Sequence, residues 1–149
     1  MLGFGDKALE YYRMINPIEH ARTREATSKY KVEPYVIPAD IYGGVNLAGR
    51  GGWTWYTGSS SWYYEAGIEY LLGIKIRKGV LSIEPCIPSN WKEYLIRYKY
   101  GKSIYNIKIC NPNGKNTGAQ KFIVNGNEIP EKCIKLDDNG GIFEVEVVM

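Results

Sequence analysis

The sequence is poor in the residues that build metal and disulfide frameworks: three cysteines and one histidine among 149 residues. Cys86, Cys110 and Cys133 lie more than twenty residues apart with no CxxC pair. That spacing excludes a disulfide scaffold and a zinc site. Each stands among apolar residues of a strand-like segment or beside a proline, so the expectation is a small buried hydrophobe in a reducing, cytoplasmic compartment. Long apolar runs are also missing, since no window approaches the ~18 residues a membrane helix needs. The start, Met1-Leu2-Gly3-Phe4-Gly5-Asp6, has neither the basic nor the apolar region of a signal peptide. Basic runs, internal repeats and low-complexity tracts are absent, which argues against a nucleic-acid partner and against disorder.

What is present is ordinary material for a packed core: 44% hydrophobic and 23% charged residues, with a net charge of +3. The length suits one ordinary domain or two small ones. Charge divides unevenly: residues 1–73 carry 7 basic and 8 acidic side chains, residues 74–149 carry 12 and 8. Periodicity changes at the same place, Gly73. The expected division is therefore 1–73, helical and irregular, and 74–149, built of strands.

In the first part, Asp6 to Ile15 reads as a short helix with Asp6 as N-cap and Asn16-Pro17 as its stop. Pro17 to Gly52 shows no sustained period, and long irregular stretches in compact proteins usually wrap or carry a site. Ser59 to Leu72 reads as a second helix, capped by one of Ser59, Ser60 and Ser61 and stopped by Gly73. Its apolar residues run nearly all the way round, leaving only Glu65 and Glu69 as a polar stripe. A helix of that kind needs neighbours on almost every side. One other helix cannot cover it, so the expectation is a larger helical assembly.

Beyond Gly73, Tyr94, Ile96, Tyr98 and Tyr100 alternate with Leu95, Arg97 and Lys99, and Gly101-Lys102 turns the chain into Ser103–Cys110. Asn125-Gly126 marks a second hairpin, and a last strand covers Ile142–Val148. Five to seven short strands with tight turns predict an antiparallel sandwich.

The densest unusual feature is Gly49-Arg50-Gly51-Gly52-Trp53-Thr54-Trp55-Tyr56-Thr57-Gly58-Ser59, running into Ser60-Ser61-Trp62-Tyr63-Tyr64. Thr57-Gly58-Ser59 falls where the chain enters a helix, so free amides, hydroxyls and the positive end of the helix dipole converge on it. Such a place binds anions, phosphate above all. Gly58 has no Cβ to obstruct a ligand. The Gly-Lys-Ser/Thr ending of a Walker A loop is missing. Trp53 and Trp55 beside an anion site would suit the apolar face of a sugar ring; the alternative is that Trp53, Trp55 and Trp62 anchor the loop in a core.

The string GRGGWTWYTGSSSWYYEAGIEYLLGIK, Gly49 to Lys75, closely resembles the signature near the C-terminal end of the catalytic barrel in glycoside hydrolase family 94, the cellobiose and chitobiose phosphorylases and their relatives. Leu2-Gly3-Phe4-Gly5-Asp6-Lys7-Ala8, Ile15-Asn16-Pro17-Ile18-Glu19-His20-Ala21 and Tyr30-Lys31-Val32-Glu33-Pro34-Tyr35-Val36 look most like its cyclic β-1,2-glucan synthase and β-1,2-oligoglucan phosphorylase branch. Ile83-Glu84-Pro85-Cys86-Ile87-Pro88, Trp91 and Tyr98-Lys99-Tyr100-Gly101 resemble the start of the family's C-terminal β-sandwich.

The resemblance implies an α+β architecture, the end of an (α/α)6 helical barrel followed by a jelly-roll-like β-sandwich. It implies inverting phosphorolysis of β-linked gluco-oligosaccharides, with inorganic phosphate as co-substrate and no metal or organic cofactor. Thr57 and Gly58 fall on the family's phosphate-holding Thr-Gly pair. Arg50, Trp53, Trp55 and Ser59 are candidates for the surrounding pocket. The family's general acid Asp and its phosphate-binding Arg and His belong to upstream barrel segments, so no residue here is assigned to catalysis. The expectation is a C-terminal piece that is inactive without the N-terminal part of the barrel; the alternative is a carbohydrate-binding or interaction module, or a remnant without function. Asp6, Asp40 and Glu33 are read as a helix cap, a loop turn and a buried hydrogen-bond acceptor, and His20 belongs to a stretch distinct from the family's phosphate histidine.

Overall fold

Alternation of apolar and polar residues governs the second half of the chain, and the computed structural model, which describes residues 2–149, shows what it builds. Two compact units are present. One comprises residues up to Leu9 together with Ile68–Met149, and the other is Glu10–Gly67.

The first unit holds two sheets. Strands β3 (Ile74–Arg77), β4 (Val80–Ile83) and β9 (Cys133–Lys135) form a three-stranded antiparallel sheet in the order β3-β4-β9. Strands β5 (Glu93–Tyr100), β6 (Ser103–Cys110), β7 (Lys121–Val124), β8 (Asn127–Ile129) and β10 (Ile142–Val148) form the larger sheet in the order β5-β6-β10-β7-β8. Both hairpins read from the turns are present, with Tyr100 opposite Ser103 and Val124 opposite Asn127. The last strand lies in the middle of its sheet, parallel to β6 and antiparallel to β7. That single parallel pair corrects the expectation of a purely antiparallel arrangement, which came from reading only the tight turns. Strands β3, β4 and β9 are too short to alternate visibly in the sequence.

Inward residues of both sheets meet in one core. Leu81, Ile83 and Ile134 come from the small sheet, and Tyr105, Ile107, Ile109, Phe122, Val145 and Val147 from the large one. Tyr105 stacks on Phe143 with ring centroids 4.6 Å apart. Its hydroxyl accepts from the Asp137 amide at 2.6 Å, so a buried phenol keeps its polar end satisfied. Buried Asn111 is saturated: its Nδ2 donates to the carbonyls of Trp91 (3.0 Å) and Lys115 (2.8 Å), and its Oδ1 accepts from the Lys115 amide (2.8 Å). Cys86 is buried as expected, but Cys110 and Cys133 are only half-buried: Cys110 lies on the outer face of β6, where every second residue is half-buried, and Cys133 opens the edge strand β9.

Helix α1 (Gly5–Met14) begins one residue before Asp6, which corrects the reading of Asp6 as N-cap. The Asp6 carboxylate instead accepts from Asn116 Nδ2 (2.8 Å), the Ser89 amide (3.1 Å) and Ser89 Oγ (3.3 Å). The Asn116 bond, then the Ser89 amide, hold its pKa below the usual carboxylate value. Gly5 sits against the Ile87 backbone with no room for a side chain.

In the second unit the stretch expected to be irregular contains two short helices, α2 (Pro17–His20) and α3 (Arg24–Tyr30). Asn16 ends one helix and starts the next: its side chain accepts from the Ile18 amide, with Pro17 in the first turn. Thr23 caps α3 through the Ala26 amide. Both are too short for a period to be visible. The unit's buried core is small, Tyr30, Val32 and Val36 with Ile41 packed on it. Strands β1 (Asp40–Ile41) and β2 (Gly51–Gly52) pair antiparallel. Gly51 is required there because a Cβ would run into Val32 and Tyr30.

Candidate functional site

The Trp-rich segment is pinned by backbone bonds before it enters a helix. The Ala39 amide donates to the carbonyls of Gly52 (3.2 Å) and Trp53 (3.1 Å), and the Tyr56 amide donates to Ile37 (3.3 Å). Between these anchors Trp53 and Trp55 take φ values of 45° and 60°, left-handed conformations that bulky residues rarely adopt and that cost on the order of 1–3 kcal/mol each. The Trp53 ring leans on Tyr56 at 5.5 Å, and Trp55 meets Tyr35 edge-on at 6.2 Å.

Helix α4 (Thr57–Glu65) comes next and continues as a π-helical segment, Ala66–Leu71. The helix starts at Thr57 rather than at a serine, which corrects the expected capping. Tyr56 is the N-cap and supplies no side-chain bond. Ser59, Ser60 and Ser61 lie inside the helix, and Ser61 Oγ donates back to the Thr57 carbonyl at 3.2 Å. The first intrahelical bond runs from the Ser60 amide to Tyr56, so the Thr57, Gly58 and Ser59 amides precede the ladder. A tyrosine cap leaves these donors uncovered where serine or aspartate would have occupied one of them. A Cβ on Gly58 would meet only the Tyr56 ring edge at 3.8 Å, so the approach is open.

A cleft of about 930 Å³ opens beside this helix start. Gly58 and Ser59 line it, with Tyr56, Trp62, Tyr63 and Ala66 from the same segment and Asp40, His20, Ile37 and Ile41 from the other elements of the unit. Thr57, Arg50, Trp53 and Trp55 are not among its described lining residues. Arg50 is exposed, and its backbone bonds to Tyr42 and Leu47. Trp53, Trp55 and Trp62 are 76%, 63% and 70% exposed, which overturns their reading as core anchors.

His20 Nε2 donates to the Met14 carbonyl at 2.6 Å, and its ring stacks on Tyr30 at 4.8 Å. Tyr63 stacks on Tyr12 at 4.0 Å, and its buried hydroxyl has no hydrogen-bond partner among the described residues. Burial, with the Tyr12 phenol as a further contributor, pushes the Tyr63 pKa above its ordinary value. Asp40 lies in β1 rather than in a turn, because it pairs with Gly52. Glu33 is half-buried, and its carbonyl accepts from the Val36 amide. The sequence reading missed Tyr63 as a cleft residue. Its signal was the spacing of Ser59, Trp62, Tyr63 and Ala66, which share a face once the helix is started at Thr57.

Among the described residues no group of three His, Cys, Asp or Glu side chains is placed to hold a metal ion. No helix among them is long and apolar enough to cross a membrane.

Residues 1–73 match the family model of the Glycosyl hydrolase 94 superfamily, catalytic domain. The chain resembles glycoside hydrolase family 94. Cyclic β-(1,2)-glucan synthase NdvB of Rhizobium meliloti (strain 1021) is 46% identical over 104 residues, 70% of this chain and 4% of that protein. N,N′-diacetylchitobiose phosphorylase of Vibrio furnissii is 33% identical over 149 residues, 99% of this chain and 18% of its own length. Solabiose phosphorylase of Paenibacillus borealis is 29% identical over 148 residues, again 99% of this chain and 19% of the relative. The chain thus spans less than a fifth of these relatives, and the family model stops one residue before β3.

Proposed function

We propose that this chain supplies the phosphate-binding end of an inverting glycoside phosphorylase acting on β-linked gluco-oligosaccharides. In this reading residues 1–73 form the end of an (α/α)6 barrel and residues 74–149 a jelly-roll-like β-domain. Thr57 and Gly58, with Ser59 beside them, hold inorganic phosphate through the uncapped amides of α4. The observation that carries the reading is that cap: Tyr56 leaves those amides without a side-chain acceptor, next to a cleft large enough for a sugar.

Phosphate attacks the anomeric carbon while an acid protonates the departing glycosidic oxygen, so the protein need not activate water as it would in inverting hydrolysis. The amides contribute by fixing the nucleophile and offsetting its charge. Arg50, Trp53 and Trp55 complete the pocket only when further barrel segments fold over them. The acid, with the remaining phosphate ligands, is assigned to those segments, and the chain alone releases no sugar 1-phosphate.

Titration with inorganic phosphate, monitored by NMR of the Thr57, Gly58 and Ser59 amides, tests the site. Saturable shifts that Thr57→Ala weakens are the expected result. A folded sample with unperturbed amides overturns the assignment. The exposure of Trp53 and Trp55 favours a second reading, a carbohydrate-binding module without catalysis. Saturable oligoglucan binding that is indifferent to phosphate would select it.

A further inference from the structure

The larger sheet has one long open edge. Strand β5 runs eight residues at the margin of the sheet, whereas the opposite edge, β8, has three. Its register with β6 is continuous from Glu93–Cys110 to Tyr100–Ser103, without a bulge, and it contains no proline. Shortness, bulge and proline, three of the devices that blunt an edge, are therefore missing, and charge is the one that remains.

The ladder determines which backbone groups face outward. The two-residue turn makes Tyr100 and Ser103 a hydrogen-bonded pair, and the Asn111 amide donates to the Lys92 carbonyl at 2.7 Å at the other end. Tyr94, Ile96, Tyr98 and Tyr100 thus spend their N–H and C=O groups on β6, in step with the Lys92 carbonyl on Asn111. Glu93, Leu95, Arg97 and Lys99 send theirs to the open side. The same four residues are exposed, and Leu95, an apolar residue, is 74% exposed.

Charge along this edge is ordered, acid at the start and bases at the end. Two antiparallel copies centred on Ile96 place Glu93 opposite Lys99 twice and Leu95 opposite Arg97 twice. On the inner face they place Tyr94 opposite Tyr98, with Ile96 against itself. Every opposing pair is then attractive or apolar, with Glu93, which already pairs with Lys108 of β6 at 2.9 Å, shared between two lysines, and the arginine stem covers the exposed leucine. Centring on Arg97 would set that cation against itself, and centring on Leu95 would leave Lys99 beyond the partner's strand. We propose that β5 is an interface strand through which two copies of this chain pair antiparallel, joining their five-stranded sheets across a two-fold axis centred on Ile96. This is independent of the phosphate-site reading.

Sedimentation of the 149-residue chain over a concentration series is the test. The expected result is a monomer–dimer equilibrium. Lys99→Glu, which faces Glu93 of the second copy, weakens it roughly tenfold, and Glu93→Lys combined with Lys99→Glu and Lys108→Glu restores it, since every pair, that of Glu93 with Lys108 included, re-forms with signs exchanged. Leu95→Pro abolishes pairing while leaving the β6 ladder intact, because the Leu95 amide does not contribute to it. Amide exchange in the unmodified chain needs no variant to fold: Leu95 and Arg97 slow as concentration rises. A monomer at every concentration overturns the proposal. So does a dimer indifferent to Lys99→Glu, or one in which those two amides still exchange freely.

Discussion

The two units of this molecule use similar apolar material in opposite ways. In the β-unit, thirteen buried residues close into one core. In the helical unit only three do, while Trp53, Trp55, Trp62 and Tyr64 stay exposed. The difference is one of geometry. A strand buries every second residue against a facing sheet, and two sheets satisfy each other within the same chain. A helix apolar on nearly all sides requires several other helices, and α4 has no fully buried residue. One unit buries most of its apolar surface within itself; the other leaves much of it exposed.

Deletions should break that comparison most sharply. Ile107→Ala removes a side chain at 1% exposure and is expected to cost about 2–5 kcal/mol in urea unfolding, whereas Trp62→Ala, far larger but exposed, should change stability by no more than about 0.5 kcal/mol. Equal effects would mean that α4 is packed after all. Next in size is Asn111→Ala, which strands the Lys115 amide and two carbonyls; a loss of about 2–3 kcal/mol is expected. A neutral outcome would show that water takes over those bonds.

The smallest effect is one of pH. Because its bonds to Asn116 and Ser89 lower the Asp6 pKa in the folded state, Asp6 contributes stability above the unfolded carboxylate value near 3.8. That contribution is lost as pH falls through the lower folded value. Asp6→Asn should therefore lower stability at neutral pH, and the difference from the unmodified chain should shrink as pH falls through the folded Asp6 value, as a pH series of thermal melts would read. An unchanged acid limb would remove Asp6 from the account.

Local patterns carried the β-unit in the sequence. Gly101-Lys102 and Asn125-Gly126 name their hairpins, and the alternation through Tyr94–Tyr100 names its buried face. The parallel pairing of β10 with β6 was not legible, since it joins residues far apart and no turn signals it. Three-residue β9 has too few positions for a period. In the helical unit Asn16 and Thr23 are cap residues whose helices are too short to announce themselves, and the serine run drew the helix start past Thr57. That Gly58 and Ser59 stand where the chain enters a helix was legible in the string. That a tyrosine would sit at the N-cap, and that Tyr63 would line the cleft, depended on where the first turn closes.

Strand β10 is synthesised after every other strand of its sheet yet lies between β6 and β7. Until it emerges, β5–β6 and β7–β8 are two separate hairpins, each with an unsatisfied inner edge and an apolar face. Folding of this sheet cannot proceed vectorially as the chain leaves the ribosome; it waits for an insertion that zips both hairpins at once. Such long-range closure is slow and leaves pairing-competent edges exposed in the interval. Yield in a cell should then depend on how fast translation passes Ile142–Val148, and on chaperones that shield the two hairpins meanwhile.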